Sequence, residues 1–175
     1  MTQNTQNNSN SNKTGKAFNF VAWILGIFLL VKFFGNFEKN QINPNQNPDS
    51  VITNEAITLV LTANKSGHYV VNGYINNHPV TFLVDTGASY VSLSSNLAKK
   101  LNLQAEYPIT LSTANGSKQG FVTKLNTVQI GEIKLNNVSA VFSENMSDEI
   151  LLGMSVLKQL TMIHQDGKLL LKQVK

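Results

Sequence analysis

Val80-Thr81-Phe82-Leu83-Val84-Asp85-Thr86-Gly87-Ala88-Ser89 is an apolar run that ends abruptly in a carboxylate, a hydroxyl and a glycine. Phe82, Leu83 and Val84 read as a buried strand, and Gly87 lets the backbone turn sharply after it. A half-buried aspartate costs free energy, so a strand that delivers Asp85 to its own end points to a carboxylate held at a cleft. A structural role competes with this, because Asp and Thr after a strand also form turns and helix N-caps. Asp85-Thr86-Gly87 alone does not separate the two.

Two further segments do. Ile109 to Val122 contains two β-prone runs joined by Asn115-Gly116, a strong hairpin signal. Near the C-terminus, Glu149-Ile150-Leu151-Leu152-Gly153-Met154 is an apolar strand that meets a glycine and then a short helical pattern. In this order the three pieces resemble the retropepsin-like (retroviral-type) aspartic proteases. Asp85-Thr86-Gly87-Ala88-Ser89 matches the active-site loop, and Thr113-Ala114-Asn115-Gly116 matches the flap. Leu151-Leu152-Gly153-Met154 matches the segment packed beneath the loop. The flap and the Leu152-Gly153-Met154-Ser155 ending look more narrowly like the bacterial, membrane-tethered branch. The resemblance covers about residues 65 to 174 and leaves the N-terminal third aside.

The whole chain is compatible with one domain of that kind. With 175 residues, 42% hydrophobic and 14% charged, it accommodates a single real core plus an apolar segment. Its net charge of +4 comes from lysines alone and they form no stripe, so nucleic-acid binding is not expected. Cysteine is absent, which excludes disulfides and thiolate metal sites. His68, His78 and His164 lack paired ligand spacing, so no metal and no cofactor are expected.

Residues 1–16, rich in Asn, Gln, Ser and Thr, read as a disordered polar tail. Residues 17–37 are apolar on every face and read as a transmembrane helix, with no small-residue cleavage site after them. Lysines flank both ends, so charge barely discriminates orientation. Resemblance to the bacterial branch implies a single pass through the inner membrane with the protease domain periplasmic. Residues 38–56, containing Asn43-Pro44-Asn45-Gln46-Asn47-Pro48, read as an extended spacer holding the domain away from the bilayer. Residues 57–175 alternate short strands with Asn and Gly turns, which predicts an all-β, barrel-like domain with one or two short helices. Strands are expected near 57–62, 69–75, 80–84, 109–113, 119–130, 134–142 and 149–151, with a final hairpin turning on Asp166-Gly167. Helices are expected from Ser94 or Ser95 to Leu101 and near 155–159.

Acid-base hydrolysis of a peptide needs one carboxylate to take a proton from water while a neighbouring carboxylic acid donates one. Two aspartates held close cannot both ionise, so the pair shares one proton. The chain has a single Asp-Thr-Gly, and Asp49, Asp148 and Asp166 follow no buried strand. A dyad therefore requires two copies of Asp85 in a symmetric homodimer acting on a protein or peptide substrate. By resemblance, Thr86 locks the paired loops together, Gly87 gives its N–H to the aspartate and the flap covers the substrate. Ala88 replaces the serine of pepsin-type enzymes, which implies activity reaching to higher pH. The contrasting expectation is a catalytically silent, membrane-tethered module of the same fold that captures an extended peptide by strand addition.

Overall fold

The computed structural model describes residues 11–113, 116–144, 146 and 149–175, in two compact units, one up to Lys39 and one from Asn40 onward. The elements are α1 (Ser11–Ile42), β1 (Ser50–Ile52), β2 (Ala56–Thr62), β3 (Val70–Ile75), β4 (His78–Val84), β5 (Val91–Ser94), α2 (Ser95–Lys100), β6 (Tyr107–Thr113), β7 (Gly116–Ile130), β8 (Ile133–Ser143), β9 (Ile150–Leu152), α3 (Met154–Leu157), β10 (Thr161–Gln165) and β11 (Lys168–Val174).

In the first unit, Phe20, Trp23, Leu25, Phe28 and Leu29 on α1 are all more than half exposed. The candidate membrane span, Phe18–Ile42, is 25 residues long. Its apolar part, residues 18–37, rises about 30 Å at 1.5 Å per residue, enough for a bilayer's hydrocarbon. The helix begins before the apolar run and ends after it, so residues 11–16 are helical where a tail is expected. Once a helix is nucleated, each added residue gains a hydrogen bond and costs at most about 1 kcal/mol in propensity, the most at Gly15.

In the second unit, β3-β4-β9-β5-β8-β7 form a mixed sheet that closes on itself where β7 returns to β3, pairing Tyr74 with Gln129 and Ile75 with Val128. Strand β6 pairs with β7 on the outside of that ring and makes a projecting hairpin. A smaller antiparallel sheet, β1-β2-β11-β10, packs on the barrel through Leu59, Leu61, Leu169 and Leu171, all in the buried core. Asn76 and Asn77 turn β3 into β4, and Asp166 and Gly167 turn β10 into β11, each with positive φ at both positions, as two-residue hairpins of right-handed twist require. Ser94 caps α2, its Oγ accepting from Leu97 N at 3.3 Å.

Two strands were not expected from the sequence. Val91-Ser92-Leu93-Ser94 alternates polar and apolar residues, yet all four are buried because β5 lies between β8 and β9. Strand β1 falls inside the expected spacer, and that spacer is the main correction. Asn43 and Asn45 are buried, and the Asn45 side chain stands in for a strand partner. Its Nδ2 donates to Thr62 O (2.9 Å) and Val70 O (2.7 Å), and its Oδ1 accepts from Thr62 N (2.7 Å). Asn72 N donates to Asn45 O, and Asn72 Nδ2 donates to Gln46 O. An amide side chain carries the same donor and acceptor as a peptide group, so residues 43–52 are docked on the domain and are not a free tether.

Candidate active site

Strand β4 carries Phe82 into the core, where it is fully buried, and stops at Val84. It runs parallel to β9, pairing Phe82 with Ile150, Leu83 with Leu151 and Val84 with Leu152. The ladder continues one step, Asp85 N donating to Leu152 O at 3.2 Å, so the backbone of Asp85 is fixed by the sheet itself. The chain then turns, Ala88 N reaching Asp85 O at 3.3 Å. Gly87 N donates to Asp85 Oδ1 at 2.8 Å, orienting the carboxylate at the strand end. Asp85 is half-buried, while Thr86, Gly87 and Ser89 are exposed in the single chain.

The loop rests on the segment after β9. Met154 N donates to Ala88 O (2.7 Å), Ser155 N to Ser89 O (2.9 Å), and Val91 N to Ser155 Oγ (3.0 Å). At Gly153 a Cβ would collide with the carbonyl of Tyr90 and lie 2.6 Å from Ala88 O, so the close approach of the two backbones requires glycine. The apolar-apolar-glycine segment thus lies beneath the Asp85 loop, as expected. Ser155 was noted only as part of the segment's ending; its Oγ bond to Val91 N, and the role of the Tyr90 carbonyl, were not read from sequence. A serine two residues after such a glycine was the available signal, and it read as an ordinary helix start.

Thr113 pairs with Gly116 at the end of the β6–β7 hairpin, and Gly116 has φ +101°, a conformation open to glycine. Ala114 and Asn115, the expected flap tip, lie outside the described residues. Gly120 is buried, and a Cβ there would come within 2.9 Å of Leu111 Cδ1 and 3.0 Å of Phe142 O. Its smallness serves packing of the hairpin root against β8. A depression of about 430 Å³ opens beside the loop among Ser89, Tyr90, Met154 and Lys158, and Asp85 lies outside it.

A closed barrel with a projecting hairpin and an Asp-Thr-Gly turn at the end of an interior strand defines the acid-protease class of fold. The comparisons agree. Residues 71–159 match the family model described as "gag-polyprotein putative aspartyl protease". An uncharacterized protein of Rickettsia prowazekii is 33% identical over 116 residues, covering 65% of this chain and 50% of its own length. Another uncharacterized protein, from a Sinorhizobium species, is 34% identical over 109 residues, covering 60% and 47%. The chain thus spans about half the length of the curated relatives it matches. The crystal structure of a retropepsin-like aspartic protease from Rickettsia conorii superposes with a TM-score of 0.60 at 29% identity, covering 73% of this chain and 96% of that one. The chain belongs to the retropepsin-like aspartic proteases.

Proposed function

We propose that the chain is a membrane-anchored aspartic endopeptidase, active as a homodimer, in which two Asp85 carboxylates activate a water against the carbonyl of an extended peptide. The observation that carries this reading is the Asp85 loop. Its backbone is pinned to Leu152 and braced by Gly153 to Ser155, its carboxylate is oriented by Gly87, and Thr86 and Gly87 are nevertheless exposed. A turn residue with a purely structural duty needs no such bracing, whereas an acid-base group requires placement to within fractions of an ångström.

One chain supplies one such carboxylate, so the second comes from a two-fold-related copy meeting the exposed face of Thr86-Gly87. One member of the pair gives its proton to the scissile carbonyl oxygen while the other takes a proton from the attacking water; on collapse the C–N bond breaks, the amine leaves with the proton taken from water, and the gem-diol returns a proton to the first carboxylate. The β6–β7 hairpin covers the substrate and excludes bulk water. The exposed apolar surface of α1 supports a single-pass anchor, and we place the domain on the outer face of a bacterial inner membrane.

The test incubates wild type and Asp85→Asn with unfolded casein, with and without a pepstatin-like inhibitor. Cleavage by wild type alone, blocked by the inhibitor, is expected. Equal cleavage by both removes Asp85 from the mechanism. No cleavage by either, with the dimer confirmed by sedimentation, favours the silent peptide-binding module.

A further inference from the structure

The docked segment fixes where the active-site loop stands relative to the point at which the chain joins its anchor. Residues 41 and 42 belong to the domain and are tied to the loop after β2: Lys65 N donates to Gln41 O at 3.4 Å and Asn64 Nδ2 to Ile42 O at 3.1 Å. That loop is closed on itself, Asn64 N donating to His68 O at 2.7 Å and His68 N to Asn64 Oδ1 at 3.0 Å. It then enters β3, where Tyr69 O accepts from Val84 N at 2.9 Å and Val70 pairs with Leu83. Continuing that antiparallel register by one step puts His68 level with Asp85. Interstrand spacings of roughly 4.8 Å along this route place Asp85 on the order of 15–20 Å from Ile42.

Little chain is left to lift it away. After Ile42 the chain is held by the Asn43, Asn45, Asn72 and Gln46 contacts and then by β1 on β2. Before it, the apolar run ends at Phe37, and the five residues 38–42 span no more than about 18 Å even fully extended.

We propose that the cleft works at the bilayer surface, on extended juxtamembrane segments of other membrane-anchored proteins, in preference to soluble chains or distant loops. This rests on the protease and anchor readings above and specifies their substrate class. A substrate whose scissile segment lies within about 20 residues of its own membrane span shares the narrow layer in which the site is held, which raises effective concentration. A segment much farther out spends most of its time beyond reach.

The full chain is reconstituted in vesicles with a single-span substrate displaying one unfolded casein segment at about 5, 20 or 60 residues from its helix, soluble casein serving as control. Cleavage about tenfold faster at the two nearer placements than at the farthest is expected. A long Gly-Ser insert between Lys39 and Asn40 of the protease is expected to erase that preference. Equal rates at all three placements with wild type overturn the inference and leave the protease reading standing, as does cleavage of soluble casein alone. Failure to cut any substrate, soluble casein included, overturns both. A second readout is independent of catalysis. The chain lacks cysteine, so Ser66→Cys and Glu55→Cys each give one labelling site, beyond opposite ends of β2, whose seven residues rise about 23 Å. Stronger energy transfer to a headgroup acceptor from position 66 than from 55 is expected, and equal or reversed transfer overturns the inference.

Discussion

Replacing Asn45 tests whether the segment before β1 is part of the domain. Asn45→Ala deletes three side-chain hydrogen bonds, to Thr62 N, Thr62 O and Val70 O, in a site where Asn45 is 6% and Val70 7% exposed. At about 1 kcal/mol net for each, the loss is about 3 kcal/mol. Asn45→Asp keeps the shape and the acceptor facing Thr62 N but turns an oxygen toward two carbonyls that had a donor. At neutral pH it is expected to cost at least as much. Because the buried carboxylate is destabilised in the folded state, its folded pKa rises above the unfolded value of about 3.9. The folded state then binds more protons, so the deficit is full above the raised pKa and shrinks as pH falls toward the unfolded one. Urea denaturation of a fragment beginning at Asn40, followed from pH 7 to pH 4, measures both effects. A change below about 0.5 kcal/mol in either variant would refute the docking.

Three further outcomes follow from the same contacts. A fragment beginning at Ser50 lacks Asn43 and Asn45 and should be less stable than one beginning at Asn40 by about 3 kcal/mol or more, read as a lower urea midpoint. Gly153→Ala forces the Tyr90 and Ala88 carbonyls apart, and should lower the melting temperature by about 10 °C and casein cleavage by about a hundredfold through displacement of Asp85. Wild-type values for both would contradict the close packing. Ala88→Ser offers a hydroxyl donor to the carboxylate and stabilises its ionised form, so the alkaline limb of the pH–rate profile should move to lower pH. An unmoved limb would show that position 88 does not reach the carboxylate.

Much of the barrel was legible because its strands end on residues with particular conformational needs. Asp166-Gly167 marked its turn, and Phe82-Leu83-Val84 marked the strand leading to Asp85. Asp85 and Gly153 were legible as a pair because a carboxylate and a glycine stand out after apolar runs. Strand β5 was hidden since its burial comes from neighbours distant in sequence, which alternation of Val and Ser does not report. The docked segment was hidden for a different reason. An Asn-Pro-rich stretch has the composition of a spacer, and only the tertiary fold reveals that its amides complete the open ends of β2 and β3. Gly120 shows the same limit, since glycine near a hairpin suits mobility or close packing, and only the approach of Leu111 and Phe142 decides for packing.

Subunit mixing tests most directly whether the catalytic dyad is assembled from two chains. Wild type is combined with increasing proportions of Asp85→Asn at fixed total concentration, the subunits are allowed to exchange, and the initial rate of casein cleavage is recorded. If each active unit needs Asp85 from both partners, the rate falls as the square of the wild-type fraction, to about one quarter in an equal mixture. A linear fall, to about one half, would mean that each chain acts with its own aspartate alone.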